Sequence, residues 1–256
     1  MKKYLSHNGN LIQRGSNNLI YRKVEFPTPP ILDIVHFMYC ANDFDGTKIP
    51  NRATNSDIYD YLSCGTITKN GSGANCYLTN DLNPDNFLYT TLSTNTRDLM
   101  KAVNNTYTFY VRVVQDYSSW TGGVITWRFN PNKGPGANYC YMIRCESQKL
   151  QIHFMSWINT NFSLTSSDSV YKIEMSGNTC IITDLVNGTY ETYINSNDRG
   201  MSTIMASFVG GGSEPPINPG GYEQYLDKFY AIAGVARATT TAEDEAIKTY
   251  MLTQGV

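Results

Sequence analysis

One pattern recurs through the second half of this chain and restricts its fold more than any other. Short runs alternate apolar and polar residues, and turn residues separate them. In TYTFYVRVVQ (106–115), Tyr107, Phe109, Val111 and Val113 share one face and Thr108, Tyr110, Arg112 and Val114 the other. GGVITWRFN sets Val124, Thr126 and Arg128 opposite Ile125, Trp127 and Phe129, and NYCYMIRCE and KLQIHFM repeat the pattern. SVYKIEM and TCIITDL read as two strands around the tight turn SGN. Asn187-Gly188 in VNGTYETYI predicts a type I′ hairpin turn. MSTIMASFV and LDKFYAIAGVAR close the series, and GGGSEPPINPGG (210–221) between them reads as a loop. Strands in such number, without βαβ alternation, build a sandwich or a barrel.

Upstream, ILDIVHFMYC predicts a buried strand. Residues 42–86 are rich in turns around short strands at 57–63 and 74–79. The C-terminal end changes period. Thr240-x-x-Glu243 is a capping box, Ile247, Tyr250 and Met251 follow at helical spacing, and Gly255 lies beyond them. A short amphipathic helix packed on the sandwich is expected there.

The 256 residues carry a net charge of -2, with 41% hydrophobic and 16% charged side chains. That balance supports a core and argues against nucleic acid as a partner, because no basic run is present. No stretch has the length and apolarity of a membrane span. Lys2 and Lys3 are followed by His7, Asn8, Asn10, Gln13 and Arg14 where a secretion signal needs apolar residues. The six cysteines lack any C-x-x-C pair, and without a secretion signal they read as reduced, structural thiols.

The order of these features resembles the laminin-G-like, concanavalin A-like lectin jelly roll. HFMYCANDFDGTKIPN looks like the family's first strand and turn, and TYTFYVRV, GGVITWRF and KLQIHFM look like its central strands. DSVYKIEMSGNTCIITDLVNGTY is similar to its long hairpin, and DKFYAIAGVARATTTAEDEAIKTYML to its closing strand and helix. The resemblance implies an all-β jelly-roll sandwich over residues 31–256, with a short C-terminal helix and an extended leader over residues 1–30. The leader, with its YL-x-x-NG-x-L pattern, resembles the short starts of structural proteins in tailed bacteriophages. That implies a virion protein, a head or tail fibre or capsid decoration component, assembled in the host cytoplasm.

The fold is shared by lectins, adhesins, hydrolases and virion proteins, so function has to be read from sites. Glycanases of this fold set paired carboxylates along one strand. Here Glu146, Glu174 and Glu191 are isolated, and Glu243, Asp244 and Glu245 sit where a helix N-terminus accounts for them. A non-enzymatic role is expected. His153 reads as a sheet-face residue. Asp43 and Asp45 in NDFDG form a candidate calcium loop, with a plain Asx-turn as the competing reading. Rings that stack on sugars, next to amides that bind hydroxyls, make the best binding candidates: Tyr117 and Trp120 in DYSSWTGG, and Trp157 beside Asn159 in the loop-like SWINTNF. Trp127 reads as core.

The leader has sparse apolar points at Tyr4, Leu5, Leu11, Ile12, Leu19, Ile20 and Tyr21, and a stiff Pro27-Thr28-Pro29-Pro30 spacer. These suit docking onto other virion proteins. Packing on the sandwich's own flank is the competing reading. Three roles follow: a displayed virion protein that adheres to host-surface glycan and forms a dimer or trimer, a bacterial carbohydrate-binding module or adhesin at the cell surface or secreted, and a glycoside hydrolase or polysaccharide lyase.

Overall fold

The eight residues of the strand Tyr107–Val114 are all buried, although they alternate in polarity. A strand of this kind must be covered on both faces, and that requirement organises the molecule. A computed structural model describes residues 4–7, 10–14, 19–22, 31–54, 56–81, 83, 86–91, 106–115, 122–129, 139–154, 156–194, 204–209 and 226–256. The chain falls into two units, Met1–Pro30 and Ile31–Val256.

In the first unit, β1 (Tyr4–His7), β2 (Asn10–Arg14) and β3 (Leu19–Arg22) form an antiparallel three-stranded sheet. Its register aligns Leu5, Ile12 and Tyr21 in one cross-strand row and Tyr4, Gln13 and Ile20 in the next. Leu11 stands opposite Ser6 and Arg22, and Leu19 opposite Arg14.

The second unit begins with α1 (Ile31–Ile34), β4 (Phe37–Cys40), β5 (Lys48–Ile49), β6 (Tyr61–Cys64), β7 (Thr68–Asn70), β8 (Tyr77–Thr79) and β9 (Phe87–Thr91). The series continues with β10 (Tyr107–Val114), β11 (Gly122–Phe129), β12 (Tyr139–Glu146), β13 (Lys149–Phe154) and β14 (Ser156–Ser163). It ends with β15 (Tyr171–Ser176), β16 (Thr179–Asp184), β17 (Thr189–Ile194), β18 (Ile204–Val209), β19 (Lys228–Val235) and α2 (Thr241–Thr253). Among the described residues these strands make two antiparallel eight-stranded sheets. The first runs β17-β16-β15-β10-β19-β8-β7, with β4 also paired to β19, and the second runs β14-β13-β12-β11-β18-β9-β6-β5. This is the jelly-roll-like sandwich with a short C-terminal helix that the sequence pattern predicts.

The main core lies between the sheets. Tyr107, Phe109, Val111 and Val113 of β10 join Ile173, Ile182 and Ile232 from the first sheet and Leu88, Leu150, Ile152 and Ile158 from the second. The opposite face of β10 enters a second cluster, in which Tyr110, Ala231, Ala233 and Val235 meet Ile247 and Met251 of α2. The helix therefore supplies the second cover that the polar-alternating face of β10 requires. Gly234 is needed for close approach, because a Cβ there would stand 2.3 Å from the Phe37 ring.

Three local expectations are corrected. ILDIVHFMYC is not one strand: Ile31–Ile34 is a helical turn whose Ile31, Leu32 and Ile34 pack with α2, and only Phe37–Cys40 pairs with β19. Asn187-Gly188 does not form a two-residue type I′ turn. Asp184 pairs with Thr189, and four residues lie between them. The Asp184 carboxylate accepts from the Val186 and Asn187 amides and the Asn187 side chain, and Gly188 alone has positive φ, +69°. The acid holds the longer loop by satisfying its amides. SWINTNF is not a loop: it is β14, an edge strand with a register shift opposite Lys149 and Gln151.

Candidate functional site

The described side chains form a groove of about 580 Å³ lined by Asn51, Ala53, Ser56, Ile58, Tyr59, Asp60, Leu62, Tyr89 and Thr90. It lies at the β5–β6–β9 end of the second sheet. Tyr61 and Leu88 point into the core, so strand alternation sends Leu62 and Tyr89 to the opposite face, where they stand in register.

Asn51 builds the wall. Its Oδ1 accepts from the Met38 and Ala53 amides, and its Nδ2 donates to Ser56 Oγ and the Ile58 carbonyl. Four bonds from one amide fix the loop over residues 51–58 without regular structure. The Tyr59 carbonyl accepts from Tyr39 Oη at 2.6 Å and from Thr90 Oγ1 at 3.0 Å, which ties the floor to the core. Tyr39 in turn packs edge-on against Tyr61, with centroids 4.2 Å apart.

The Tyr59 residue is 64% exposed and Leu62 42%. Asp60 accepts from the Asn51 amide at 3.0 Å and from Lys48 Nζ at 2.8 Å. Burial pulls the Asp60 carboxyl up, but the Lys48 ammonium and the Asn51 amide outweigh it and hold the group below the usual carboxylate range. The groove thus offers tyrosine and leucine surface beside a fixed, ionised carboxylate and its ammonium. Apolar faces beside anchored polar groups suit a ligand of mixed character, such as a sugar with C–H faces and hydroxyls.

Tyr117 and Trp120 fall outside the described residues. On β14, Trp157 stands opposite His153 and Asn159 opposite Gln151. Asn159 is exposed, and its Oδ1 accepts from Gln151 Nε2. A continuous cross-strand row of the second sheet runs through Trp157, His153, Met142, Thr126, Phe208, Tyr89, Leu62 and Lys48. Trp127 takes the alternate row with Tyr141 and Ser207.

Asp43 grips Arg52 with both carboxylate oxygens, and Arg52 Nη1 donates to Tyr250 Oη and the Gln254 carbonyl. Asp45 Oδ1 accepts from the Thr47 amide, Thr47 Oγ1 and the Lys48 amide, an Asx-type turn that lowers its pKa. The two carboxylates serve different partners. Among the described residues no group of three or more His, Cys, Asp or Glu could hold a metal. His36 is also committed, with Nδ1 2.9 Å from Tyr107 Oη and Nε2 3.2 Å from Asp57. Glu174, isolated in sequence, shares Lys172 Nζ with Asp244 at 3.2 and 2.9 Å. Cys40, Cys64 and Cys76 are free thiols, and burial pushes Cys40 up to about 12.

Sequence reasoning did not find the groove. Its only local signal is the run IYDYL, where Tyr59 is exposed and Tyr61 buried. Which tyrosine faces outward depends on the distant β9.

No protein-family model matches the sequence, and no curated protein matches it. Solved structures do match the fold. The chain is similar to the botulinum neurotoxin serotype D/C binding domain, with TM-score 0.57 and 10% identity over 86% of this chain and 53% of that one. The binding domain of botulinum neurotoxin DC in complex with SialylT gives 0.57 and 11% over 86% and 52%. Trypanosoma rangeli sialidase in complex with the inhibitor DANA gives 0.55 and 13% over 85% and 32%. The chain spans about half the length of the toxin domains and a third of the sialidase. Among the described residues no helix is long and apolar enough to cross a membrane. At these identities the likeness is one of architecture, a jelly-roll-like β-sandwich.

Proposed function

We propose that this chain is a non-enzymatic binding module whose jelly roll engages a glycan in the groove around Tyr59, Asp60, Leu62 and Tyr89. The observation that carries the reading is the exposed Tyr59 ring on a backbone fixed by Tyr39 and Thr90, beside the ionised Asp60. A ring carried on a fixed backbone next to a set polar group loses less freedom when a sugar binds than one on a mobile loop. The matched toxin binding domain in complex with SialylT supports a sugar-binding use of the fold, and the sialidase match is the counter-case. The carboxylates described above are engaged by Arg52, Lys48, Lys172, His36 or backbone amides, which supports binding rather than hydrolysis.

The wider setting is a tailed-phage virion, as a fibre or capsid decoration component, with residues 1–30 joining it to other virion proteins. The three-stranded β1–β3 sheet, a unit of its own, supports a separable attachment segment.

A glycan array probed with the full chain tests the binding site. Tyr59→Ala is expected to abolish the array signals and leave the melting temperature unchanged. Binding that survives Tyr59→Ala would place the site elsewhere, and cleavage of a bound polysaccharide would refute the non-enzymatic reading. Deleting residues 1–30 is expected to leave a folded sandwich that no longer enters particles. Normal incorporation would reject the attachment role.

A further inference from the structure

Among the described residues four strands stand at the ends of the two sheet paths, and three of them carry devices that block pairing with another strand; on β4, which lies off the path, the Met38 amide and carbonyl are taken up by Asn51 and Arg52. β5 is two residues long and includes Lys48, β7 is three residues long and includes Lys69, and β14 has a register shift. β17 has none. Its six residues, TYETYI, pair with β16 in unbroken register and contain no lysine or proline. Its one charge, Glu191, is drawn back onto its own chain, where the carboxylate accepts from the Asn161 amide, Asn161 Nδ2 and Tyr193 Oη.

This unprotected edge also carries two of the most exposed large apolar side chains among the described residues: Tyr190 at 70% and Ile194 at 74%. Both stand on one face, with Thr192 between them.

We propose that β17 pairs antiparallel with β17 of a second copy, about a two-fold axis at Thr192. An axis normal to the sheet keeps each face on its own side. Residues directly opposite must then be of equal parity, so the axis passes through a residue. Centred on Thr192, the register sets Tyr190 opposite the second copy's Ile194, Thr192 opposite Thr192, and Glu191 opposite Tyr193. Every pair is favourable: aromatic against β-branched, threonine against threonine, and no like charges face each other. An edge that complements itself in this way fits a second copy, the isologous arrangement of most homodimers. Each tyrosine carries about 150–250 Å² of surface. With both isoleucines and the paired backbones, the contact is on the order of 1,000 Å², the lower end of specific interfaces.

Sedimentation of the full chain between micromolar and submillimolar concentration tests this. The unmodified protein is expected to dimerise. Tyr190→Lys and Ile194→Glu should each weaken the dimer roughly 10-fold or more. Both side chains are largely exposed, so each variant should keep its melting temperature. Mixing the two variants brings the introduced lysine of one copy opposite the introduced glutamate of the other and should restore a heterodimer. A protein that stays monomeric, a dimer indifferent to both substitutions, or a mixture that does not associate would each overturn the proposal.

Discussion

Replacing Arg112 with methionine is expected to destabilise the sandwich more than any comparable surface change, because this cation joins α2 to the sheet. Arg112 is 2% exposed in the middle of β10. Its Nε donates to the Ser167 carbonyl at 2.8 Å, and its Nη1 donates to the carbonyls of Ala74, Met251 and Leu252 at 2.9, 3.0 and 3.1 Å. The guanidinium also lies 4.4 Å from the centre of the Tyr230 ring. Met251 and Leu252 belong to the last turn of α2, where the carbonyls lack helical partners and the macrodipole places roughly half a negative charge. Burial lowers the Arg112 pKa, but guanidinium stays protonated at any ordinary pH. Methionine keeps most of the apolar volume and strands the carbonyls. Each stranded buried acceptor costs about 1–3 kcal/mol, and partial access of water to the helix end reduces the total to about 3–5 kcal/mol. With a urea slope of about 2 kcal/mol/M, the unfolding midpoint should fall by about 2 M. Arg112→Lys keeps the charge but cannot span Ser167, Ala74 and the helix end, so it should recover about half of the loss. Hydrogen exchange in α2 should rise in both variants. If Arg112→Met moved the midpoint by less than about 0.5 M, the view that this arginine holds the helix end would be wrong.

Two further outcomes follow from local geometry. Ser147 and Gln148 close the β12–β13 hairpin at φ +51° and +62°, a left-handed pair that asparagine and glycine favour, so Ser147→Asn should add about 0.5–1 kcal/mol, read as a rise in melting temperature. The Glu243 carboxyl is lowered from 4.5 to about 2, chiefly by the Arg237 guanidinium, with burial opposing and the Thr240 amide assisting. Its folded pKa lies below the unfolded one, so its contribution is complete above about 4.5 and is lost as pH falls towards 2. Arg237 is half exposed, which limits the effect to about 1 kcal/mol; Glu243→Gln should flatten that part of the acid melting curve, and an unchanged curve would deny Glu243 the role.

The parts that were legible in sequence are those carried by neighbours along the chain. Alternation in 106–115 told both faces of β10, and Thr240 with Glu243 marked the start of α2, where both capping-box bonds form. The helix end was less legible. Gln254, not Gly255, is the C-cap, at φ +54°, because its side chain accepts from the Asn42 amide and donates to the Cys76 carbonyl. Those partners are remote in sequence and repay the left-handed backbone.

The hairpins separate local from non-local information most clearly. Asn187-Gly188 is a strong turn signal, yet Asp184 draws it into a longer loop. Ser147-Gln148 carries no turn signal and still makes the two-residue left-handed turn, because the pairing of β12 with β13 fixes its ends at Glu146 and Lys149. Periodicity and capping are short-range quantities, so the sequence alone determined strand faces, the terminal helix and the sandwich class. Arg112 reads only as a polar residue on a strand until α2 folds back over it. Tyr59 and Leu62 form a groove only when Tyr89 arrives from β9, and β17 is an edge only because nothing described pairs beyond it. These features depend on which remote segments meet, and the packing of two sheets and a helix decided them.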